Sequence, residues 1–96
     1  MSTLSDQFAA RIKDALAQCY ALGYTPHRFE QMLKEHGGVG LARKLVISGE
    51  LQGGLNSLKK LGRLDLSVEH IMLDPAFVSL FTKAERDAAA WRLQQL

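Results

Sequence analysis

The side chains able to do chemistry are few, and their spacing is unhelpful to most reactions. His27, His36 and His70 share no ligand spacing, there is no HExxH or CxxC, and Cys19 is the single cysteine with no histidine near it in sequence. The regular zinc patterns are therefore missing. Asp65, Glu69, His70 and Asp74 gather around one predicted turn, where oxygen donors could hold a divalent cation. The commoner role of carboxylates at a helix start is to answer its dipole, and that role is expected here.

Gly37-Gly38-Val39-Gly40 precedes a helical pattern, and free amides at a helix start do bind anions. No strand leads into it and no Lys-Ser/Thr pair follows, so the nucleotide-binding fingerprints fail and a tight interhelical turn is expected instead. Ser48, Ser57 and Ser79 lie in no strand-turn-helix elbow. Cys19 sits in an apolar helical stripe, which predicts a buried thiol rather than a nucleophile. No catalytic, cofactor or metal residue is assigned, and a non-enzyme is expected.

What remains is charge. Net charge is +2, but from Arg28 to Arg63 seven basic residues meet three acidic ones, whereas from Leu64 onward five acidic residues outnumber three basic ones. Arg28, Arg43, Lys44, Lys59, Lys60 and Arg63 are thus the candidate partner-binding residues, suited to phosphates or to an acidic protein surface. An ordinary helix-turn-helix over Phe29 to Val46 is disfavoured, because Arg43 would fall at the position six residues after the turn glycine, which such motifs bury.

The elements that must position these groups are helical. Phe8, Ile12, Ala15, Leu16 and Cys19 recur at three- and four-residue spacing and predict a helix from about Ser5 to Leu22, closed by Gly23. Thr25-Pro26 predicts a cap and a second helix carrying Phe29, Met32 and Leu33, up to Gly37-Gly38. A third helix buries Val39, Ala42, Leu45 and Val46 and stops at Ser48-Gly49. Gly53-Gly54 is expected to loosen the chain before a fourth helix with Leu55, Leu58 and Leu61.

At Gly62-Arg63-Leu64-Asp65-Leu66-Ser67-Val68-Glu69 one helix ends, a few extended residues pin Leu64 and Leu66 to the core, and Ser67 caps the next helix, with Glu69 in its first turn complementing the dipole. Arg63, facing away from those leucines, is the residue of this stretch expected to contact a partner. Asp74-Pro75 predicts one more helical turn through Phe77, Leu80 and Phe81. Thr82-Lys83-Ala84-Glu85 is a capping box for a last helix that buries Ala88, Ala89, Trp91 and Leu93. No strand alternation is long enough for a sheet.

At 96 residues, 47% apolar and 23% charged, the chain is expected to form one domain over residues 1–96 with an ordinary core. The fold class expected is all-α, a compact orthogonal bundle of six or seven short helices. Apolar runs of a few residues are too short to span a membrane, and the first residues lack a secretory pattern, so a cytoplasmic protein is expected.

The order of Gly23-Tyr24-Thr25-Pro26-His27-Arg28-Phe29-Glu30-Gln31-Met32-Leu33, Gly37-Gly38, Ala42 and Leu45, Gly54-Leu55, Gly62 to Glu69 and Leu80-Phe81-Thr82 with Glu85 resembles a widespread family of small, uncharacterised bacterial proteins with a GRLDL(S/T)VE segment. The resemblance covers roughly Phe8 to Leu93. It carries an association with mobile-element and phage-defence settings but no activity and no catalytic residues. Where relatives often have a tryptophan after the leucine of the fourth helix, this chain has Leu58-Lys59-Lys60. The functional expectation is a non-enzymatic protein-interaction module, a regulator or inhibitor of a nucleic-acid-handling complex, with direct nucleic-acid binding through the basic middle as the alternative.

Overall fold

The computed structural model describes residues 3–48 and 52–96. Helix α1 (Leu4–Ala21) starts at a capping box that its sequence writes as Thr3-Leu4-Ser5-Asp6. The Thr3 hydroxyl accepts from the Asp6 amide at 3.0 Å and the Asp6 carboxylate accepts from the Thr3 amide at 3.3 Å. Phe8, Ile12, Ala15 and Cys19 are buried along its inner stripe, as their spacing predicts. Gly23, at φ 83°, closes it: the Tyr24 amide donates to the Cys19 carbonyl at 2.9 Å and the Gly23 amide to that of Tyr20 at 3.0 Å. That pair of bonds is a Schellman motif.

Helix α2 (His27–Ser48) joins the second and third predicted helices into two limbs that meet at Gly37, whose φ 73° and ψ 178° are open to glycine alone. Gly38 is needed for a different reason. A Cβ there would lie 2.8 Å from the Cα of Ala9, so α1 and the second limb touch backbone to backbone. Met32 is buried on the first limb and Leu41, Ala42 and Leu45 on the second. The predicted stop at Ser48-Gly49 falls where the described residues end, since Gly49, Glu50 and Leu51 lie outside them.

Helix α3 (Gln52–Lys60) corrects two expectations. Gly53 and Gly54 belong to its first turn rather than to a loose segment, and Leu61, expected in the core, is 41% exposed. The reason is where the helix stops. Gly62 takes φ 70° and a second Schellman pair forms, with the Arg63 amide donating to Leu58 at 2.9 Å and the Gly62 amide to Lys59 at 3.0 Å, which swings Leu61 outward.

The stretch expected to be extended is a 3-10 turn, Leu64–Leu66, in which the amides of Leu66 and Ser67 donate three residues back to the carbonyls of Arg63 and Leu64. It still buries Leu66 and packs Leu64 on the core. Helix α4 (Val68–Met72) begins with the Ser67 hydroxyl accepting from the His70 amide at 3.1 Å. Asp74 then accepts from the Ala76 amide at 2.9 Å, an Asx turn rather than the start of an α-helix, and a second 3-10 turn, Val78–Leu80, follows.

Helix α5 (Lys83–Gln94) has the predicted capping box, with Thr82 and Glu85 exchanging bonds of 3.1 and 2.8 Å. Its inward face differs from the expected one: Ala89 and Arg92 are buried, whereas Trp91 is 60% exposed. Among the described residues there are five α-helices, two 3-10 turns and no strand, so the fold is all-α. Phe8 stands at the centre of the core, edge-on to Phe77 at 5.4 Å and Phe81 at 5.2 Å between ring centroids. Extents of 32 × 30 × 23 Å and a radius of gyration of 12.3 Å are those of one packed unit of this length.

Candidate functional site

The two Schellman closures and the kink of α2 decide where the basic residues go, and they do not bring all six together. Arg63 leaves the end of α3 and turns back. Its guanidinium donates to both carboxylate oxygens of Asp65, at 3.0 and 3.1 Å, and to the side-chain oxygen of Gln18 on α1 at 2.9 Å. The residue expected to reach outward therefore ties α1 to the joint. Asp65 is held below the usual carboxylate range chiefly by the hydrogen bond from Arg63.

Arg43 reaches from the second limb of α2 to the start of α5. It donates to the Leu80 carbonyl at 3.0 Å, and its Nε lies 3.4 Å from Oε2 of Glu85, the carboxylate that also caps Thr82. Lys59 donates to the main-chain oxygen of Leu96 at 2.7 Å, joining α3 to the far end of α5. Lys60 is exposed on the next position.

Arg28 and Lys44 lie on the same depression. The kink folds the second limb so that both line one shallow depression with His27, Gln31, Glu35 and His36, and the Lys44 ammonium is 3.4 Å from Nε2 of His36. A neutral imidazole accepts from the ammonium in that arrangement. His27 faces Glu30 at 3.8 Å and His36 faces Glu35 at 3.7 Å. The depression therefore mixes the basic side chains of Arg28 and Lys44 with the carboxylate of Glu35.

The acidic cluster of the sequence is dispersed. Asp65 goes to Arg63, Asp74 to the Ala76 amide, and Glu69 turns inward to Arg92, whose Nε is 2.9 Å from Oε2 of Glu69. Both partners of this pair are almost wholly buried. Glu69 is thus a core residue rather than a dipole partner at the surface. Among the described residues no three His, Cys, Asp or Glu side chains gather as a metal site would require.

A cavity of about 210 Å³ lies between α1, α3 and the start of α2. Ala15, Cys19, Leu45, Leu55, Leu58 and Leu66, all buried, form its inner wall; Thr25, His27 and Arg28, all exposed, form its rim. Tyr24 stands at the edge and shares a hydrogen bond with Ser57 of α3, while burial pushes its phenol up. Burial likewise pushes the Cys19 thiol up, offset in part by the charge of Arg63, so this sulfur is a protonated wall atom and not an activated nucleophile.

Sequence reasoning missed both the buried pair and the cavity. The cavity had a faint signal: Ala15 sits in a stripe otherwise made of larger residues, and Gly54 faces it without a side chain. The buried pair had none, since Glu69 and Arg92 belong to separate helices and each reads as surface. Compared with family models, curated proteins and solved structures, the chain matches none.

Proposed function

We propose that the protein is a non-enzymatic protein-interaction module, and that the outer face of α5 is its principal contact. The observation that carries this reading is Trp91, a large aromatic side chain left 60% exposed on a helix whose inner face is already occupied by Ala89 and Arg92. Interfaces draw most of their energy from a few residues, and tryptophan and arginine are foremost among them. Lys60, Arg28 and Lys44 are exposed basic residues elsewhere on the surface. Arg43 and Arg63, each gripping a carboxylate of its own chain, contribute less. The inertness of Cys19 and the commitment of Glu69 to Arg92 support a role without catalysis. A cytoplasmic regulator or inhibitor of a nucleic-acid-handling complex, of the defence or mobile-element kind, is the partner class that the family resemblance supplies.

The test is capture of a protein partner from the native host followed by binding measurements with Trp91→Ala. That variant should keep its melting temperature within a degree or two and lose about tenfold or more in affinity. Retained affinity, or no protein partner at all, defeats the proposal. The second reading is direct nucleic-acid binding, favoured by the convergence of Arg28, Lys44 and two histidines on one depression. It requires anisotropy changes with DNA or RNA that weaken steeply with salt, the slope reporting about two to three neutralised phosphates. Absence of binding at low salt disposes of it.

A further inference from the structure

We propose that the cavity between α1, α3 and the start of α2 is a binding site for an uncharged, largely apolar molecule of about eight to ten non-hydrogen atoms. Size sets the upper bound. At about 210 Å³ the space exceeds the roughly 150 Å³ of an apolar void that takes up benzene, so a ring with a short side chain fits. The inner wall of Ala15, Cys19, Leu45, Leu55, Leu58 and Leu66 offers carbon and one protonated thiol. Dispersion contact with such a wall needs no matching polar group.

The polar residues of the wall decide the charge of the ligand, because each is already answered within the fold. The Ser67 hydroxyl accepts from the His70 amide at 3.1 Å, and Glu69 holds Arg92 at 2.9 Å. Among the described residues, no buried side-chain nitrogen or oxygen lacks a hydrogen-bond partner. An anion in the cavity would therefore stand beside the Glu69 carboxylate with no cation released to meet it. A cation would have to take Glu69 from Arg92, which is itself buried and would be left unpaired. Arg28, at the exposed rim with Thr25 and His27, has interactions of its own within the chain and is no free counter-charge. Water gains little there too, since an ordered water needs about two to four polar partners and the side chains of the wall have none to spare. A neutral apolar molecule gains the contacts of the wall without breaking any of these bonds.

The experiment titrates ethylbenzene, its isosteric cation benzylammonium, and phenylacetate into the full chain, each followed by amide NMR. Ethylbenzene should bind with a dissociation constant of about 0.1–1 mM, shifting the amides of Cys19, Leu55, Leu58 and Val68 while those around Trp91 stay in place. Both ions should bind at least about tenfold more weakly at those amides. Ala15→Leu, which puts a longer apolar side chain into the cavity, should weaken ethylbenzene by a similar factor. Bound ethylbenzene should also raise the melting temperature of the unaltered chain and slow alkylation of Cys19. The proposal is overturned if ethylbenzene shifts no cavity amide up to saturation, if its shifts map elsewhere, or if either ion binds as tightly as the hydrocarbon. A folded Ala15→Leu chain that binds ethylbenzene unchanged overturns it as well. Should that variant fail to fold, the NMR map and the comparison with the two ions decide alone.

Discussion

Glu69 and Arg92 form the one contact in which two charged side chains are both taken out of water, at 3% and 4% exposure among the described ion pairs. Such a pair gains little over a well-packed apolar one, because each ion forfeits hydration, yet removing one partner strands the other. Glu69→Leu and Arg92→Met should therefore each cost about 3–5 kcal/mol in urea denaturation, while the double substitution returns to within about 1 kcal/mol of the parent. Single variants that unfold like the parent would show that the pair is not closed as described.

Asp65 behaves differently because it is exposed. Its folded value is depressed by Arg63, so the link stabilises the fold above the range in which an unfolded carboxylate titrates, and that contribution disappears as pH falls through the depressed value. The side-chain carboxyl of Asp65 should titrate below its ordinary midpoint by NMR and return to it in Arg63→Gln. An unchanged midpoint in that variant would assign the shift to something other than Arg63.

Among the helices, α2 depends most on single residues. Gly37 and Gly38 are adjacent and do different work: one supplies a backbone conformation closed to other residues, the other lets α1 and α2 touch. Gly37→Ala should destabilise by about 1–3 kcal/mol through strain. Gly38→Ala should cost a similar amount through the clash with Ala9, and Ala9→Gly should recover part of the second loss but none of the first. Thermal melts of the three single variants and two double variants distinguish the causes. Equal recovery in both would mean that the helices simply move apart.

Other glycines show what is legible from sequence. Helix stops are local events, so Gly23 and Gly62 announce themselves, as do the Thr82 box and the Ser67 cap. The stripe of α1 is equally plain. Faces chosen by a distant partner are not. In α5 the alanines and Trp91 suggest one inner face, but Glu69 on α4 requires Arg92 inside, and the helix is turned accordingly. The alternation of Leu64 and Leu66 points Arg63 outward. Four residues are too few to separate a strand from a 3-10 turn, and the bonds to Asp65 and to Gln18, far away in sequence, settle where the guanidinium goes.

At the scale of the whole molecule, long-range polar ties stitch helices already joined by the core. Arg43 holds α2 to α5, Arg63 holds α3 to α1, and Lys59 reaches the end of α5. Arg43, Lys59 and Arg63 are committed in this way, so the sequence-level patch is divided among separate parts of the surface. Unfolding should be a single cooperative transition, because Phe8, on the first helix, packs on Phe77 and Phe81 near the last. Circular dichroism and calorimetry should give one coincident midpoint, and two separated transitions would divide the bundle.

Trp91 is the single tryptophan of the chain and is already largely solvated in the folded state. Its fluorescence emission should therefore lie toward the red in the native protein and move little when the chain unfolds. A blue shift should appear instead on association, when a partner removes water from the indole. The chain thus carries an intrinsic optical reporter that is nearly silent to its own folding and responsive to whatever docks on α5.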